Sequence, residues 1–387
     1  MKRYALTLLA ASLLGLAGTA SSAEIEVMTQ NQYLGANLNP IIEAGSAIPF
    51  DPAAFNAAVV GALAQIAGNL PRQRFQALGA VIAERKPHLV GLQEMFKFEC
   101  EGAGCADGMV AGAFNDHLEG TLEALGNAYV PVAIVENLNI TLPIQTGTGG
   151  AFVTVLDRDV ILARSDIAAD VTPVAFPCGY PSADGCNFTF VGAVTLAGQT
   201  VRVERGFVGV DATVGGKAYR FINTHLEVRD PEAGNPYSRA VQSAQANQLM
   251  VTAIGTLPFG RELIIVGDIN SDPRDEVLQG PLPPELATPP YMQFVEWGGL
   301  TDVWTKRPGA TTGKGAPLVG FSCCQDEDLG NLKSALSERI DMIFTLTAPL
   351  KVLDARLLGE SVGDKTMPKG GGVWPADHAS VAARIQF

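Results

Sequence analysis

The sequence predicts one layered domain in which α-helices and β-strands are mixed along the chain. Three observations predict it. The chain has 387 residues, 47% apolar and only 17% charged, which is ample for a core and too weakly charged for a disordered protein. Helix-type and strand-type patterns alternate throughout, with no internal repeat and no low-complexity linker to mark a boundary. The prominent polar residues lie close to apolar strands, most at their ends, where a layered α/β protein presents side chains into a cleft.

The first element is an expected export leader. Met1-Lys2-Arg3 is basic, residues 5–17 are apolar and uncharged, and Ser21-Ser22-Ala23 offers small residues before Glu24. The apolar run is short for a bilayer anchor, which needs about 20 residues. The expectation is a leader over residues 1–23, a single domain over 24–387, and a secreted or periplasmic protein.

Alternating side chains predict a strand over residues 24–29, followed by a loop over 31–39. Residues 51–85 are rich in Ala, Leu and Gln and are broken by Asn69-Leu70-Pro71. They predict two helices, the second with Phe75, Leu78, Val81 and Ile82 at helical spacing. Short apolar strands are expected over 88–93, 129–135, 159–163, 200–210 and 217–226, with a helix over 111–125. A helix over 236–257 precedes the unbroken apolar run Leu263-Ile264-Ile265-Val266-Gly267, a buried-strand pattern. A Pro-rich loop over 280–290 and strands over 340–345 and 380–387 complete the pattern.

Charge and cysteines narrow the function. Lys and Arg total 27 against 40 Asp and Glu, a formal charge of −13, and loss of Lys2 and Arg3 with the leader makes it −15. That balance disfavours a protein that grips nucleic acid by a broad basic surface. No Cys-x-x-Cys pair occurs, which weakens zinc-finger and thioredoxin-like readings. In an exported protein the simplest pairing closes two local loops, Cys100 with Cys105 and Cys178 with Cys186. Cys323 and Cys324 are adjacent.

The strand-end polar residues form one pattern. Glu94 follows Val90-Gly91-Leu92, and His225 follows Phe221-Ile222-Asn223-Thr224. Asp268 and Asn270 follow the run that ends at Gly267. Asp341 sits inside Arg339-Ile340-Asp341-Met342, and Asp377-His378 precedes the last strand. A charge in an apolar run costs several kcal/mol unless it is paired or metal-bound. Carboxylates and an Asn around one cleft make a hard oxygen site, suited to Mg²⁺ or Mn²⁺. Two histidines beside it suit attack of water on a phosphate ester. The other two, His88 and His117, fall outside the pattern and read as structural or surface residues.

These residues resemble a known motif set. Gln30-Asn31, Gly91-Leu92-Gln93-Glu94, Asn223-Thr224-His225-Leu226, Gly267-Asp268-Ile269-Asn270, Arg339-Ile340-Asp341-Met342-Ile343 and Asp377-His378 look, in that order, like the endonuclease/exonuclease/phosphatase superfamily. The resemblance runs from about residue 25 to 387. It implies a four-layer α/β sandwich, two mixed β-sheets packed face to face with helices on the outside. It also implies roles. Glu94 would be the main metal ligand, aided by Asn31 and Asp377. Asp268 and Asn270 would hold the nucleophilic water and the phosphate. His225 would stabilise the phosphate or protonate the leaving oxygen, and Asp341 would orient His378. The base is Asp268 or His378. Arg239 and Gln242 would be scaffold. Two departures stand out: a longer separation of Asn31 from Glu94, read as a helical insertion near 35–69, and no identifiable carboxylate partner for the first histidine.

The resemblance implies a Mg²⁺-dependent (or Mn²⁺-dependent) hydrolase of a small or lipid phosphoester. Its alternatives are a secreted nonspecific endonuclease, which the acidic surplus disfavours, and a catalytically silent binding protein, which would have lost motif residues. A sphingomyelinase-like member, in contact with a membrane surface, would carry an exposed apolar hairpin. Residues 287–297, with Tyr291, Met292, Phe294 and Trp297, would supply that hairpin or else pack in the core. No protein partner is inferable.

Overall fold

The computed structural model describes residues 23–229, 237–310, 319–367 and 372–387. The expected leader therefore lies outside the described residues, apart from Ala23. Two mixed sheets carry the architecture. The first orders its strands Lys351–Leu358, Ser380–Gln386, Glu24–Asn31, Leu89–Gln93, Gly149–Arg164 and Lys97–Gly102, with Tyr129–Thr146 also paired to Gly149–Arg164. The second runs Thr301–Asp302, Asp341–Thr345, Glu262–Asp268, Lys217–His225, Gly206–Val214, Gly185–Asn187 and Pro181–Ser182, with Val171–Pro173 paired to Gly206–Val214.

Alternation along the strands builds the layers. Ile25, Val27, Leu89, Ala383 and Ile385 of the first sheet meet Val208, Val210, Phe221, Ile264, Val266 and Ile343 of the second in one buried core. Outside the first sheet, Val81, Ile82, Leu118 and Leu125 of the helices Pro71–Arg85 and His117–Leu125 cover Val90, Leu92, Val160 and Leu162. Outside the second, Ala246, Leu249, Met250 and Ala253 of the helix Tyr237–Gly255 cover Ile222, Leu263 and Ile265. The run Leu263–Val266 is unbroken because it is buried on both faces. Gly91 lets the sheets close: a Cβ there would lie 2.6 Å from both Asn223 Oδ1 and Val266 Cγ2. Asn223 fills that contact, donating to the Leu92 and Val160 carbonyls.

Several expectations need correction. The helix expected over 111–125 is α-helical only at His117–Leu125, because the Asp116 carboxylate caps it by accepting from the Leu118 and Glu119 amides. The strand expected over 200–210 divides into Gln199–Val203, which pairs with Gly192–Leu196, and Gly206–Val214, which joins the second sheet. Strand 129–135 extends to Thr146. The edge strand Lys351–Leu358 went unrecognised because Lys351, Asp354 and Arg356 interrupt its apolar pattern. The two helices expected over 51–85 are present as Pro52–Gly68 and Pro71–Arg85, and a further helix, Asn39–Ser46, precedes them. The Pro-rich segment carries the short helix Pro284–Ala287.

Residues 287–297 form no hairpin. They wind through the helical turns Pro290–Met292 and Gln293–Trp297, with Phe294 fully buried against Phe344 at a centroid distance of 5.3 Å. Tyr291 donates its hydroxyl to Asp302. Both local disulfides are present, Cys100–Cys105 and Cys178–Cys186, and Cys323 is joined to Cys324. Among the described residues, no single helix is long and apolar enough to cross a membrane.

His117 belongs to the core. It is fully buried, packed by the rings of Phe75, Phe96 and Phe98, and neither ring nitrogen makes a well-formed hydrogen bond. Burial, helped by Arg74 and Arg158, holds its pKa well below the usual histidine value. The unfolded chain therefore binds the extra proton first. The contribution of His117 to stability is fully present above about pH 6.5 and falls as pH drops below it, by about 1.4 kcal/mol per pH unit. Urea titrations at several pH values should show this slope reduced by one proton in His117→Leu; an unchanged slope would contradict the assignment.

Candidate active site

Strand register assembles the site. Lys217–His225 runs parallel to Glu262–Asp268 and puts His225 beside Asp268. Antiparallel pairing to Asp341–Thr345 then puts Asp341 on the other side of Asp268. Three residues far apart in the chain become lateral neighbours at one sheet end. From the first sheet, Asn31 ends its strand in register with Gln93, so Glu94 emerges next to it. Asp377-His378 leads into Ser380–Gln386, paired on the far side of Glu24–Asn31.

The side chains meet. Asn31 Nδ2 donates to Glu94 Oε1 and to Asp268 Oδ2, each at 3.1 Å. His378 Nδ1 lies 2.8 Å from Asp341 Oδ2, and its Nε2 lies 3.8 Å from Asp268 Oδ2 and 4.0 Å from Asp377 Oδ1. His225 Nε2 lies 3.5 Å from Asp268 Oδ2 and 3.2 Å from Asn270 Nδ2. All eight sequence-predicted site residues, Asn31, Glu94, His225, Asp268, Asn270, Asp341, Asp377 and His378, belong to this one connected cluster. His88 and His117 do not. The His88 ring accepts from the Glu26 amide.

The backbone is held in uncommon shapes here. Glu94 and Asn270 have positive φ, 56° and 50°. Such conformations in non-glycine residues cost about 1–3 kcal/mol and persist where the surroundings fix them. Glu94 Oε2 accepts from the Leu34 amide at 2.7 Å, and the Asp268 carboxylate accepts from the Asn270 amide at 2.9 Å. Gly267 has φ +146°, and a Cβ on it would overlap the Thr224 carbonyl oxygen. Gln242 donates to the Glu227 and Asn270 carbonyls, joining the helix to both site loops, and Arg239 donates to the Glu276 carbonyl.

Burial and mutual repulsion set the protonation. Asp268 is pushed up to about 7 by burial and then by Asp341. Asp377 is also pushed to about 7, by burial and by Glu94, against the pull of His378 and Arg74. Burial works against a charged His378, yet Asp341 and Asp377 outweigh it and hold its pKa well above the usual value. His225 is driven the other way, by burial, Arg205 and His378.

The partner of His225 is a guanidinium rather than a carboxylate. Arg205 Nη1 lies 3.0 Å from His225 Nδ1 and 3.6 Å from Asp157 Oδ2. A guanidinium only donates, so His225 Nδ1 must accept, and the ring's single proton sits on Nε2, which faces Asp268. Asp157 and Asp159 are buried behind Arg205, with Asn137 Nδ2 donating to both. Burial raises Asp157 to about 6, against the pull of Arg205. Sequence reasoning missed this layer. Its signal was the charged triplet Asp157-Arg158-Asp159 at the head of the apolar run Val160-Ile161-Leu162. Arg74 was missed too. It is fully buried and donates to the Pro375 and Tyr33 carbonyls, tying a helix to the segments that carry Asn31 and Asp377.

The residues fit a hard divalent cation. Glu94 and Asp377 are neighbouring carboxylates, and the buried Asp377 Oδ1 has no hydrogen-bond donor. Asn31 Oδ1 accepts from the Tyr33 amide and keeps a second lone pair, while its Nδ2 donates to the Glu94 and Asp268 carboxylates. It orients Glu94 and Asp268. The acidic ligand atoms of Asp268 and Asp341 also lie within 4.8 Å of a His378 ring nitrogen, but there a short Asp341–His378 bond fills the space between them.

The sequence matches the Endonuclease/Exonuclease/phosphatase family over residues 55–378, and the chain belongs to that family. Members of the family hydrolyse phosphoesters and generally use divalent metals. No curated protein matches the chain. Among solved structures it is similar to a humanized D. rerio TDP2, at 14% identity over 95% of this chain and 100% of that one, with a TM-score of 0.47. It is also similar to a mannosyl-6-phosphatase of Bacteroides thetaiotaomicron, at 17% identity over 94% of this chain and 100% of that one, TM-score 0.47. An endonuclease/exonuclease/phosphatase family protein of the same organism shares 18% identity over 95% of this chain and 98% of its own, TM-score 0.47.

Arg205 has a measurable consequence. It is the cation among Asp157, Asp159 and Glu227. Arg205→Met should destabilise the fold by about 3–5 kcal/mol, the scale for breaking a buried charge pair from one side. Arg205→Lys should lose much less. Equal urea midpoints for Arg205→Met and the parent protein would show that the guanidinium is not needed there.

Proposed function

We propose that the protein is an exported, divalent-metal-dependent phosphoester hydrolase acting on a small phosphoester. The observation that carries the reading is the junction of Asn31, Glu94, His225, Asp268, Asn270, Asp341 and His378 across both sheets. Export is supported by the basic, apolar and small-residue order of residues 1–23 and by the two loop-closing disulfides. Residues 287–297 give a lipid substrate less support than an apolar hairpin would, since Phe294 is buried in the core while Trp297 stays 43% exposed. The formal charge of −13 disfavours a polyanion, whose binding rests on release of many counterions.

Each residue has a role that follows from its environment. Glu94 and Asp377 would hold Mg²⁺ or Mn²⁺, which supplies charge neutralisation of a phosphoryl oxygen when bound. Asp268 is fixed by the Asn31 side chain and the Asn270 amide and lies between two imidazoles. It positions the attacking water and accepts its proton. His378, kept cationic by Asp341, stabilises the negative charge that builds on the phosphate. His225 donates from Nε2 as a neutral ring. With Arg205 on its other nitrogen it is a poor acid, so of the two roles the resemblance implied, phosphate stabilisation is the one its surroundings support. Asn270 holds the phosphate beside it.

A hydrolysis screen of the purified protein with Mg²⁺, covering DNA, RNA, sphingomyelin, phosphatidylcholine, inositol phosphates and simple phosphodiesters, tests the substrate class. Turnover of a small phosphoester with a KM that barely moves with salt is expected. Efficient cleavage of duplex DNA with KM rising steeply in salt would replace this reading with the nuclease. A chelator should abolish activity and Mg²⁺ or Mn²⁺ should restore it, with Glu94→Gln needing more metal.

The histidines supply a separate check. His225→Ala and His378→Ala should each lower kcat by about 10² or more. His88→Ala, on a residue remote from the cluster, should leave kcat nearly unchanged. Similar losses in all three would refute the assignment.

A further inference from the structure

The adjacent cysteines lie against the catalytic cluster. Cys323 Sγ, Cys324 Sγ and one ring nitrogen of His378 all lie within 4.8 Å of one another. Backbone bonds hold the cysteine pair on both flanks. Cys323 exchanges bonds with Glu338, its amide donating at 3.0 Å and its carbonyl accepting at 2.9 Å. Gln325 N donates to the Asp377 carbonyl at 2.9 Å, and Ala379 N donates to the Ser322 carbonyl at 2.8 Å, so the pair is stitched to both sides of His378. Ser322 Oγ in turn accepts from the Ile340 and Asp341 amides. Cys323 is buried, whereas Cys324 is exposed.

We propose that Cys323 and Cys324, once reduced, form with His378 a site for a thiophilic divalent cation such as Zn²⁺ or Cd²⁺. Two sulfurs and one imidazole are a soft donor set, unlike the carboxylates of Glu94 and Asp377, so the two sites select different ions. Three protein ligands leave one tetrahedral position for water. The exposed Cys324 gives the ion a route in, and the backbone bonds pre-order the ligands.

The chemistry balances in two steps. A dithiol reductant gives two electrons and two protons to the Cys323–Cys324 bond, becoming a disulfide itself and leaving two thiols. The cation then displaces both thiol protons and one ring proton of the cationic His378, all three going to solvent, and binds the two thiolates and the ring nitrogen so freed. His378 must either give up Nδ1 from Asp341 or turn its Nε2 away from Asp268. Both contacts belong to the proposed hydrolytic machinery, so the occupied site stops turnover. That consequence rests on the proposed function, whereas the binding itself does not.

The test is Cd²⁺ binding, read by calorimetry and by the ultraviolet thiolate-to-cadmium charge-transfer band. The protein is reduced with a dithiol and desalted without oxygen. The expected result is one Cd²⁺ more per reduced parent chain than per reduced Cys323→Ser/Cys324→Ser chain, which corrects for the other four cysteines. Cys324→Ser alone, at an exposed position, guards against misfolding of the double variant and should lose the same ion. His378→Ala should weaken that ion by about tenfold or more, taking the 10–100-fold range for lost support of a metal site as a floor. Equal cadmium stoichiometry in parent and Cys324→Ser, or unchanged affinity in His378→Ala, would overturn the site. Loss of the extra ion without any effect of Cd²⁺ on phosphoester turnover would leave the site standing and contradict the hydrolytic role of His378.

Discussion

The parallel pairing of Lys217–His225 with Glu262–Asp268, extended antiparallel to Asp341–Thr345, determines where chemistry can occur in this protein. It aligns His225, Asp268 and Asp341 in one row at a sheet end, with separations the backbone ladder fixes. A slip of one residue in any of the three strands would turn its polar residue to the opposite face. The buried apolar residues on the same strands, Phe221, Ile264, Val266 and Ile343, prevent that slip because they must face the inter-sheet core. Packing and catalytic geometry are thus enforced by the same alternation.

The first sheet is joined to this row through Asn223 and Asn31. Gly91 removes the side chain that would hold the sheets apart, and Asn223 uses the space to bond the Leu92 and Val160 carbonyls. Asn31 then bridges Glu94 of one sheet and Asp268 of the other. A buried polar bridge of this kind is stabilising only when its partners are satisfied. Those bonds make the relative position of the sheets, and so the spacing of the site, a property of the fold as a whole.

Charge is distributed asymmetrically around the cluster. Four carboxylates, Glu94, Asp268, Asp341 and Asp377, surround one imidazole held as a cation, while the other imidazole is kept neutral by burial and by Arg205 behind it. The two histidines carry the same side chain and opposite protonation: at His378 the Asp341 and Asp377 carboxylates outweigh burial, whereas at His225 burial acts first and Arg205 adds to it. The carboxylate excess on the Glu94–Asp377 side is what a divalent cation would balance. Arg74 lies beneath that side and bonds carbonyls, so it fixes the loops without consuming the carboxylates.

The local pattern of the chain determined much of this. Apolar runs ending in Glu94, His225 and Asp268 mark strands whose ends carry function, and helical spacing of Phe75, Leu78 and Val81 marks a packed helix. The turn-spanning cysteine pairs were legible for the same reason: each depends on residues near one another in sequence. Tertiary structure decided the rest. Arg205 lies only 20 positions before His225 yet meets it because antiparallel pairing of Gly206–Val214 with Lys217–His225 folds them together. Phe294 was compatible with an exposed hairpin or a core, and the position of Phe344 across the fold chose the core. The strand Lys351–Leu358 exists because the edge of Ser380–Gln386 was open to pair with it. The sequence alone determines which residues prefer burial and which end a strand; which distant partner each one meets depends on register and sheet packing, and those are settled only when the whole chain closes.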